Sequence, residues 1–304
     1  MSKIKLIFNP NSDRGRSGQK ASDLRAVVEE HGGADWVGTE HPTHATDLAA
    51  KAGLEGYDTV VALGGDGTVH EVINGLMRVA PNHRPKLGVV PIGTGNDFAY
   101  AGGVAMDPMQ AMARVFTGTA RPVDVGTIRD NNNRLEYWNN TVGIGLDGKI
   151  NIMSRKITGL YGFILYFTAT LRTVLQDYES SQMKIWIDDQ PMNERGILKF
   201  TFGNGPREGG GFMTTPASKI DDGIFDYVSI KHISRISILQ LIPKVMNGTH
   251  VSDKRVTIGT FKKIRLEADR ALPIHTDGEL WSPYEVNTRT VEAEMMAGAV
   301  QLIT

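Results

Sequence analysis

The 304-residue chain contains no cysteine. That absence excludes disulfide frameworks, thiolate metal sites and cysteine nucleophiles together, and it is compatible with a reducing compartment. Also missing is any run of about 18 apolar residues, the length that suggests a membrane-crossing helix. The N-terminus, "MSKIKLIFNPNSDRG", passes into a short strand pattern without the apolar stretch of a secretory signal. The expectation is a cytoplasmic protein with at most peripheral contact on the inner face of the membrane. Nor is there an excess of either charge: 33 Lys and Arg face 34 Asp and Glu, so the overall balance advertises no nucleic-acid partner. Only residues 241–270 are locally basic, with seven Lys or Arg against three acids. None of the eight histidines pairs as H-x-x-x-H, and none is assigned to a metal. There is no repeat and no low-complexity segment.

What remains is an ordinary globular composition, 40% hydrophobic and 22% charged, on a chain long enough for two domains. Through about residue 122, strand and helix patterns alternate. Ile4 to Phe8 reads as a strand and residues 18–31 as a helix. "ADWVGTE" is a strand and "HATDLAAKAGL" a helix; Thr59 to Leu63 is a strand, residues 69–79 a helix, and Lys86 to Pro91 a strand. This alternation predicts an α/β domain with a parallel sheet whose ligands lie at the carboxyl ends of the strands. From residue 123 the pattern changes to short strand-like runs such as "RPVDVGTI", "SQMKIWIDD", "IFDYVSIKHI" and "KKIRLEAD", as in an antiparallel sandwich or barrel. We read residues 1–122 as one domain and 123–287 as a second. The segment 288–304 could return to the first domain or close the second.

Two glycine-rich corners fall at the same predicted sheet edge. The first, "VVALGGDGTVHEVINGL", ends a strand on Gly-Gly-Asp-Gly-Thr before an apolar helix pattern. Glycines there permit positive φ and close backbone approach, Thr68 can donate to a phosphate oxygen, and the helix directs its positive end at an anion. A carboxylate beside a phosphate repels it unless a divalent cation intervenes, so Asp66 implies magnesium. The plain alternative is a tight turn in which Asp66 caps the helix. The second corner, "PIGTGNDFA", repeats the arrangement with Gly93, Thr94, Gly95, Asn96 and Asp97, where Asn96 and Asp97 could simply be an N-cap. Two such corners together favour a nucleotide-phosphate and metal site. There is no Walker loop and no dinucleotide fingerprint after the first strand.

"GGDGT" followed by "EVINGL", then "PIGTGNDFA", resembles the catalytic domain of the diacylglycerol kinase and sphingosine kinase superfamily, in particular its bacterial lipid kinases. "FNPNSDRG" (8–15), "VDVG" (123–126), "GIGLDGKI" (143–150), "GNGPREGGGFMTTPASKIDDGIFDYVSI" (203–230) and "IHTDGE" (274–279) follow in family order, so the likeness covers essentially the whole chain. GGDGT alone is shared with NAD kinases. One departure is Asp147-Gly148, where the family often has an acidic residue followed by alanine.

The resemblance implies an ATP-dependent kinase that phosphorylates a lipid hydroxyl in a cleft between an α/β nucleotide domain and a β-sandwich domain. It places ATP on Asn9, Pro10, Asn11, Ser12, Asp13, Thr39, Gly65, Asp66, Gly67, Thr68, Val69, His70, Glu71 and Thr94, with Asn96 beside them. Active-site magnesium falls to Asp66, Asp97 and Asp124, and a second, structural metal to Asp222 with carbonyls near Lys219 and Ile224. Asp277 and Glu279 supply the base, the resemblance leaving open which of them does so. These roles suit phosphoryl transfer, which asks for positioning and charge neutralisation rather than a covalent nucleophile. On residues alone, "DDG" and "TDGE" also read as plain turns.

Residues 154–178 carry apolar positions at helical spacing with Arg155, Lys156 and Arg172 among them. That helix either packs as core or rests on an anionic membrane surface. The leading reading is diacylglycerol converted to phosphatidic acid, with the lipid presented at a membrane surface and a homodimer compatible with the sequence. The alternatives are an NAD kinase-like phosphotransferase, against which "PIGTGNDFA" and "GNGPREGGG" argue, and a non-catalytic nucleotide-binding regulator.

Overall fold

In the computed structural model, residues 2–12, 17–192 and 196–304 are described, without the side chains of 17–21. The expected ATP contact at Asp13 therefore lies outside the described residues. The chain forms two compact units, Met1–Val125 with Ala297–Thr304, and Gly126–Met296.

The first unit is built from β1 (Ile4–Phe8), α1 (Ser17–Glu30), β2 (Asp35–Gly38), α2 (His44–Leu54), β3 (Thr59–Gly64), α3 (Asp66–Met77), β4 (Lys86–Pro91), α4 (Asp97–Ala101) and α5 (Pro108–Thr117), and ends in the first half of β5 (Ala120–Asp130). The sheet order is β2-β1-β3-β4, all parallel. All six residues of β3 are buried, the continuous apolar run required of a parallel strand covered on both faces. The register aligns the strand ends, with Phe8 opposite Gly38 and Leu63, and Gly64 opposite Pro91. The loops after β1, β2, β3 and β4 therefore leave from one edge. Helix α3 begins at Asp66, a turn before the apolar pattern does: Gly65 is its N-cap, and the Val69 amide already donates to the Gly65 carbonyl at 3.1 Å. The last residues of the chain return alongside β4, with Leu302 opposite Leu87. Arg84 holds them there: its guanidinium donates to the carbonyls of Leu76 at 3.0 Å, Val79 at 3.1 Å and Ala299.

The second unit contains β6 (Leu135–Trp138), β7 (Thr141–Gly145), α6 (Leu146–Ser154), α7 (Gly162–Gln176), β8 (Met183–Ile187), β9 (Gln190–Met192), β10 (Ile197–Gly203), β11 (Phe225–Lys231), α8 (Arg235–Met246), β12 (Val256–Phe261), β13 (Lys263–Ala268), β14 (Ile274–Thr276), β15 (Glu279–Ser282) and the first half of β16 (Thr290–Ile303). One antiparallel sheet runs β12-β11-β10-β7-β14-β15. In the other, β13 lies between β16 and β8, β9 follows β8, and β5 pairs with β6. Aromatic rings fill the sandwich core: Trp138 lies 4.3 Å from Phe225, and Phe200 meets Phe202 edge-on at 5.4 Å.

The helix expected over 154–178 is helical only from Gly162 to Gln176, as α7, since α6 ends at Ser154 where the expected helix was to begin. Gly159 and Gly162, at φ +80° and +52°, break the segment between α6 and α7. Helix α8, capped by Ser234 accepting from the Ser237 amide at 3.2 Å, lies where the sequence reading placed no helix. Among the described residues no helix is long and apolar enough to cross a membrane.

Candidate active site

The two glycine corners meet at the strand ends of the first unit. The glycines of GGDGT do not supply positive φ: Gly65 sits at φ −100° and ψ −168°. They are required by contact. A Cβ on Gly65 would lie 3.2 Å from the Cα of Gly93, and one on Gly95 would lie 2.7 Å from Oδ2 of Asp66. The corners are thus pressed backbone to backbone, and Asp66 and Asp97 converge on the space over Gly95. Asp66 is not the helix cap, a position held by Gly65; instead its Oδ1 accepts from the Phe98 amide at 3.2 Å, tying the first corner to the second. Asn96, in the left-handed region, closes the 93–96 turn through its side chain, accepting from the Gly93 amide at 3.1 Å and donating to the Gly93 carbonyl at 3.0 Å.

The other expected nucleotide residues divide. Asn9 donates to the Thr68 hydroxyl at 3.2 Å and accepts from the Asn11 amide at 2.9 Å, joining the loop after β1 to the GGDGT helix, while Ser12 bonds back to Asn9 and leaves Pro10 at the turn. Thr39 donates its amide to Phe8 at the same edge. Thr94 is exposed, whereas Gly67 is half-buried in the first turn of α3. Val69 and His70 are buried, and His70 contacts the amide of Asn74 at 3.3 Å. Glu71 caps α2, accepting from the amides of Thr43 at 2.9 Å and Ala45 at 3.1 Å. Asp124, buried on β5, accepts from the Gly298 amide at 2.7 Å.

In the second unit, the β14–β15 hairpin separates its two acids sharply. Asp277 is 7% exposed, in the left-handed region at φ 51°. Its oxygens accept from the amides of Asn139 at 3.0 Å, Asn140 at 2.8 Å and Thr141 at 3.0 Å, and from the Asn139 side chain at 2.8 Å. Such a carboxylate is a brace that holds the hairpin against β7. Glu279, two residues on, has a side chain 54% exposed whose Oε2 accepts from Arg155 at 2.8 Å. Asn151 steadies this pair: it accepts from Arg155 Nε at 3.3 Å and donates to the Gly278 carbonyl. An ion pair this exposed is worth little and leaves Glu279 able to change partner.

Comparison with known proteins identifies this combination. The profile of the diacylglycerol kinase catalytic domain matches residues 3–128, and that of the YegS C-terminal NAD kinase beta sandwich-like domain matches 140–304. A protein of Chromohalobacter salexigens named "Probable lipid kinase YegS-like" is 33% identical over 238 residues, 76% of this chain and 73% of its own. The chain belongs to the diacylglycerol kinase and YegS-like lipid kinase family. The Bacillus subtilis diacylglycerol kinase is 28% identical over 285 residues, 92% of this chain and 90% of that protein. A crystal structure of a Bacillus anthracis diacylglycerol kinase, 24% identical, superposes with a TM-score of 0.77 over 99% of this chain and 96% of that one, and shows the shared fold. This is a lipid kinase family, which implies ATP, a divalent metal and a lipid substrate.

Sequence reasoning missed a buried polar cluster in this lipid kinase. Lys199 on β10 donates to both carboxylate oxygens of Asp147, to which the Thr201 hydroxyl also donates. The ammonium lies 3.7 Å from Glu208, which is 3.6 Å from Nε2 of His275. Burial, then the Asp147 charge, pushes the Glu208 carboxyl up to about 7. Burial pushes the His275 imidazole down to about 4, so His275 is neutral and its contact with Glu208 is no ion pair at neutral pH. Burial alone would lower Lys199; Asp147 and then Glu208 outweigh it, and the ammonium is held above its ordinary range. Asp147, Glu208 and His275 have ligand atoms within 4.8 Å of one another, but Lys199 already supplies the positive charge a metal would bring. Gly148 departs from the family's alanine because a Cβ there would collide with the backbone of Pro273 and Ile274, against which α6 is packed.

At the expected structural metal site, Lys219 and Asp222 are exposed, and Asp222 accepts from the Ile224 amide at 3.3 Å, an Asx turn. Burial raises the pKa of nearby Asp226, and the Asp222 charge adds to that rise.

Proposed function

We propose that this lipid kinase transfers the γ-phosphate of ATP, with Mg²⁺, to the free hydroxyl of diacylglycerol, forming phosphatidic acid. The observation that carries the reading is the division of labour on the β14–β15 hairpin. Asp277 is committed to four donors from residues 139–141, whereas Glu279 is exposed and held only by Arg155. Glu279 is therefore the base that accepts the hydroxyl proton, and Asp277 positions it. The loop after β1, Thr39 and the GGDGT corner bind the nucleotide phosphates. The glycine-lined space between the corners, which a Cβ on Gly95 would fill, suits a hard cation beside two carboxylates. Asp66, Asp97 and Asp124 would hold the magnesium ion, and Asp222 with carbonyls near Lys219 and Ile224 a second, structural ion. When bound at the active site, magnesium neutralises phosphate charge. The Phe98 and Gly298 amides fix the Asp66 and Asp124 carboxylates, so that little reorganisation remains at the moment of transfer.

The test is a thin-layer assay with γ-labelled ATP, Mg²⁺ and a panel of lipid alcohols in mixed micelles, with NAD as a soluble competitor. Label entering diacylglycerol supports the reading. Label entering NAD, or another lipid alone, overturns it.

A further inference from the structure

The end of the first sheet opposite the glycine corners holds a cavity of about 360 Å³, within the size range of small-molecule sites. Strands β1, β3 and β4 begin there and end at the corners. Ile4, Thr59 and Lys86 are Cα partners in register, so their side chains stand in one row on one face of the sheet. All three line the cavity. The face is the one that α5 covers: a Cβ on Gly88, two residues beyond Lys86, would lie 3.1 Å from both Val61 and Val115. Val115 and Ile303, both buried, complete an apolar floor with Ile4. The wall is a stacked pair, His31 just past the end of α1 and Phe116 on α5, with ring centroids 5.0 Å apart.

Most polar groups around the cavity are already used. The carbonyls that end the two helices are satisfied: Val27 accepts from His31 Nδ1 at 2.8 Å, Val28 from the Gly33 amide at 2.9 Å, Glu29 from the Gly32 amide at 3.1 Å, and Arg114 from the Gly118 amide at 2.8 Å. Asp58, the acid beside Thr59, is engaged by the Lys3 amide at 2.7 Å and the Ser2 hydroxyl at 3.3 Å. Two donors are left over. Among the described residues nothing pairs with the Lys86 ammonium, and nothing accepts from the hydroxyl of Thr59, a residue 3% exposed. A buried hydroxyl without a partner is rare, and this one stands one strand away from an unused cation. Gly33, at φ +87°, has no atom within 4 Å of where its Cβ would be, which leaves that side open.

This donor set selects a single negative charge on a flat apolar body. A carboxylate accepts from the ammonium and the hydroxyl together, and its bond to the ammonium is charge-assisted. A phosphate dianion would outnumber the one cation, and an ammonium would meet Lys86 as a like charge. The apolar floor covers the rest of the molecule, and an aromatic ring adds to the His31–Phe116 stack.

We propose that this cavity is a second ligand site, for a small aromatic monocarboxylate, with Lys86 and Thr59 binding the carboxylate. The site lies about 17 Å from the glycine corners by strand rise and stands whether or not the kinase reading holds.

The experiment titrates the full chain with naphthoate, naphthamide and the saturated decalin carboxylate, read by protein-detected NMR with and without saturating ATP. Naphthoate is expected to shift the amides of residues 31–33, 59 and 116–120 whether or not ATP is bound. Naphthamide binds about tenfold more weakly for want of the charge, and decalin carboxylate about threefold for want of the ring. Lys86→Met weakens naphthoate about ten- to a hundredfold, the worth of a hydrogen bond to a charged group, and Thr59→Val about two- to tenfold. Ala120→Trp, at an exposed position on the rim, blocks binding without entering the core. ATP affinity is that of wild type in all three variants. No naphthoate bound at millimolar concentration, binding unchanged in both Lys86→Met and Ala120→Trp, or displacement of naphthoate by ATP overturns the proposal. Naphthamide or decalin carboxylate bound as tightly as naphthoate removes the charge or the ring from the assignment and overturns it as well.

Discussion

The phosphate corner of the first unit and the hairpin of the second both present acids, yet they are built on opposite plans. At the corner, chemistry sits on contiguous backbone. Gly64 to Thr68 and Gly93 to Asp97 are two short strings pressed together where β3 and β4 end in register. At the hairpin, chemistry sits on side chains gathered from distant segments: Asn139, Asn151 and Arg155 surround Asp277 and Glu279, and His275 reaches back to Glu208. Backbone sites leave a compact trace in sequence, because each glycine is demanded locally. Side-chain sites leave scattered residues whose meaning appears only after folding.

The largest expected effect breaks the corner. Asp66→Ala abolishes phosphoryl transfer while the far-ultraviolet circular dichroism stays that of wild type; unchanged turnover would remove Asp66 from the metal site. Next comes the contrast within the hairpin. Glu279→Gln lowers kcat by roughly 10²- to 10⁴-fold, the usual worth of a positioned base, with little loss of stability. Asp277→Ala instead leaves three backbone amides unsatisfied and lowers unfolding free energy by about 3 kcal/mol, read from urea midpoints. If the two variants exchange these signatures, the roles assigned to the acids are reversed.

A smaller effect is pH-dependent. Glu208 has a folded pKa near 7, raised by burial and then by the Asp147 charge, so its contribution to stability is full below the unfolded value and fades as pH rises through about 7. His275, depressed to about 4 by burial, acts in the opposite sense: its contribution is present above its unfolded value and is lost as pH falls toward 4. The two slopes oppose each other over mildly acid pH. In Glu208→Gln only the histidine slope remains, and urea midpoints relative to wild type climb as pH is raised through that range; parallel profiles would contradict the assignment. The smallest effect is at a cap. Glu71→Ala costs about 1 kcal/mol through the lost N-cap of α2, seen as a lower melting midpoint.

The same contrast explains what was legible beforehand. Alternating strand and helix patterns gave the parallel sheet, and short runs after residue 122 gave the antiparallel one, because burial on two faces or one leaves a period in the sequence. The corners were visible, although their glycines serve close approach rather than positive φ. The apolar spacing over 154–178 predicts a longer helix than Gly162–Gln176, because Gly159 and Gly162 interrupt a spacing that continues across them. Glu208 lay within a family motif without a role of its own, and Lys199 carried no signal. A lone lysine in "ILKFTFG" looks like a solvent-facing strand position until β10 is seen buried along its whole length.

The most direct test of the central claim is γ-phosphate transfer from labelled ATP to diacylglycerol by wild type and Glu279→Gln, both shown to bind ATP. The account predicts labelled phosphatidic acid from wild type and at least a hundredfold slower transfer from the variant, in line with loss of a general base. Transfer by Glu279→Gln at the wild-type rate, or no labelled lipid from ATP-bound wild type, would contradict it.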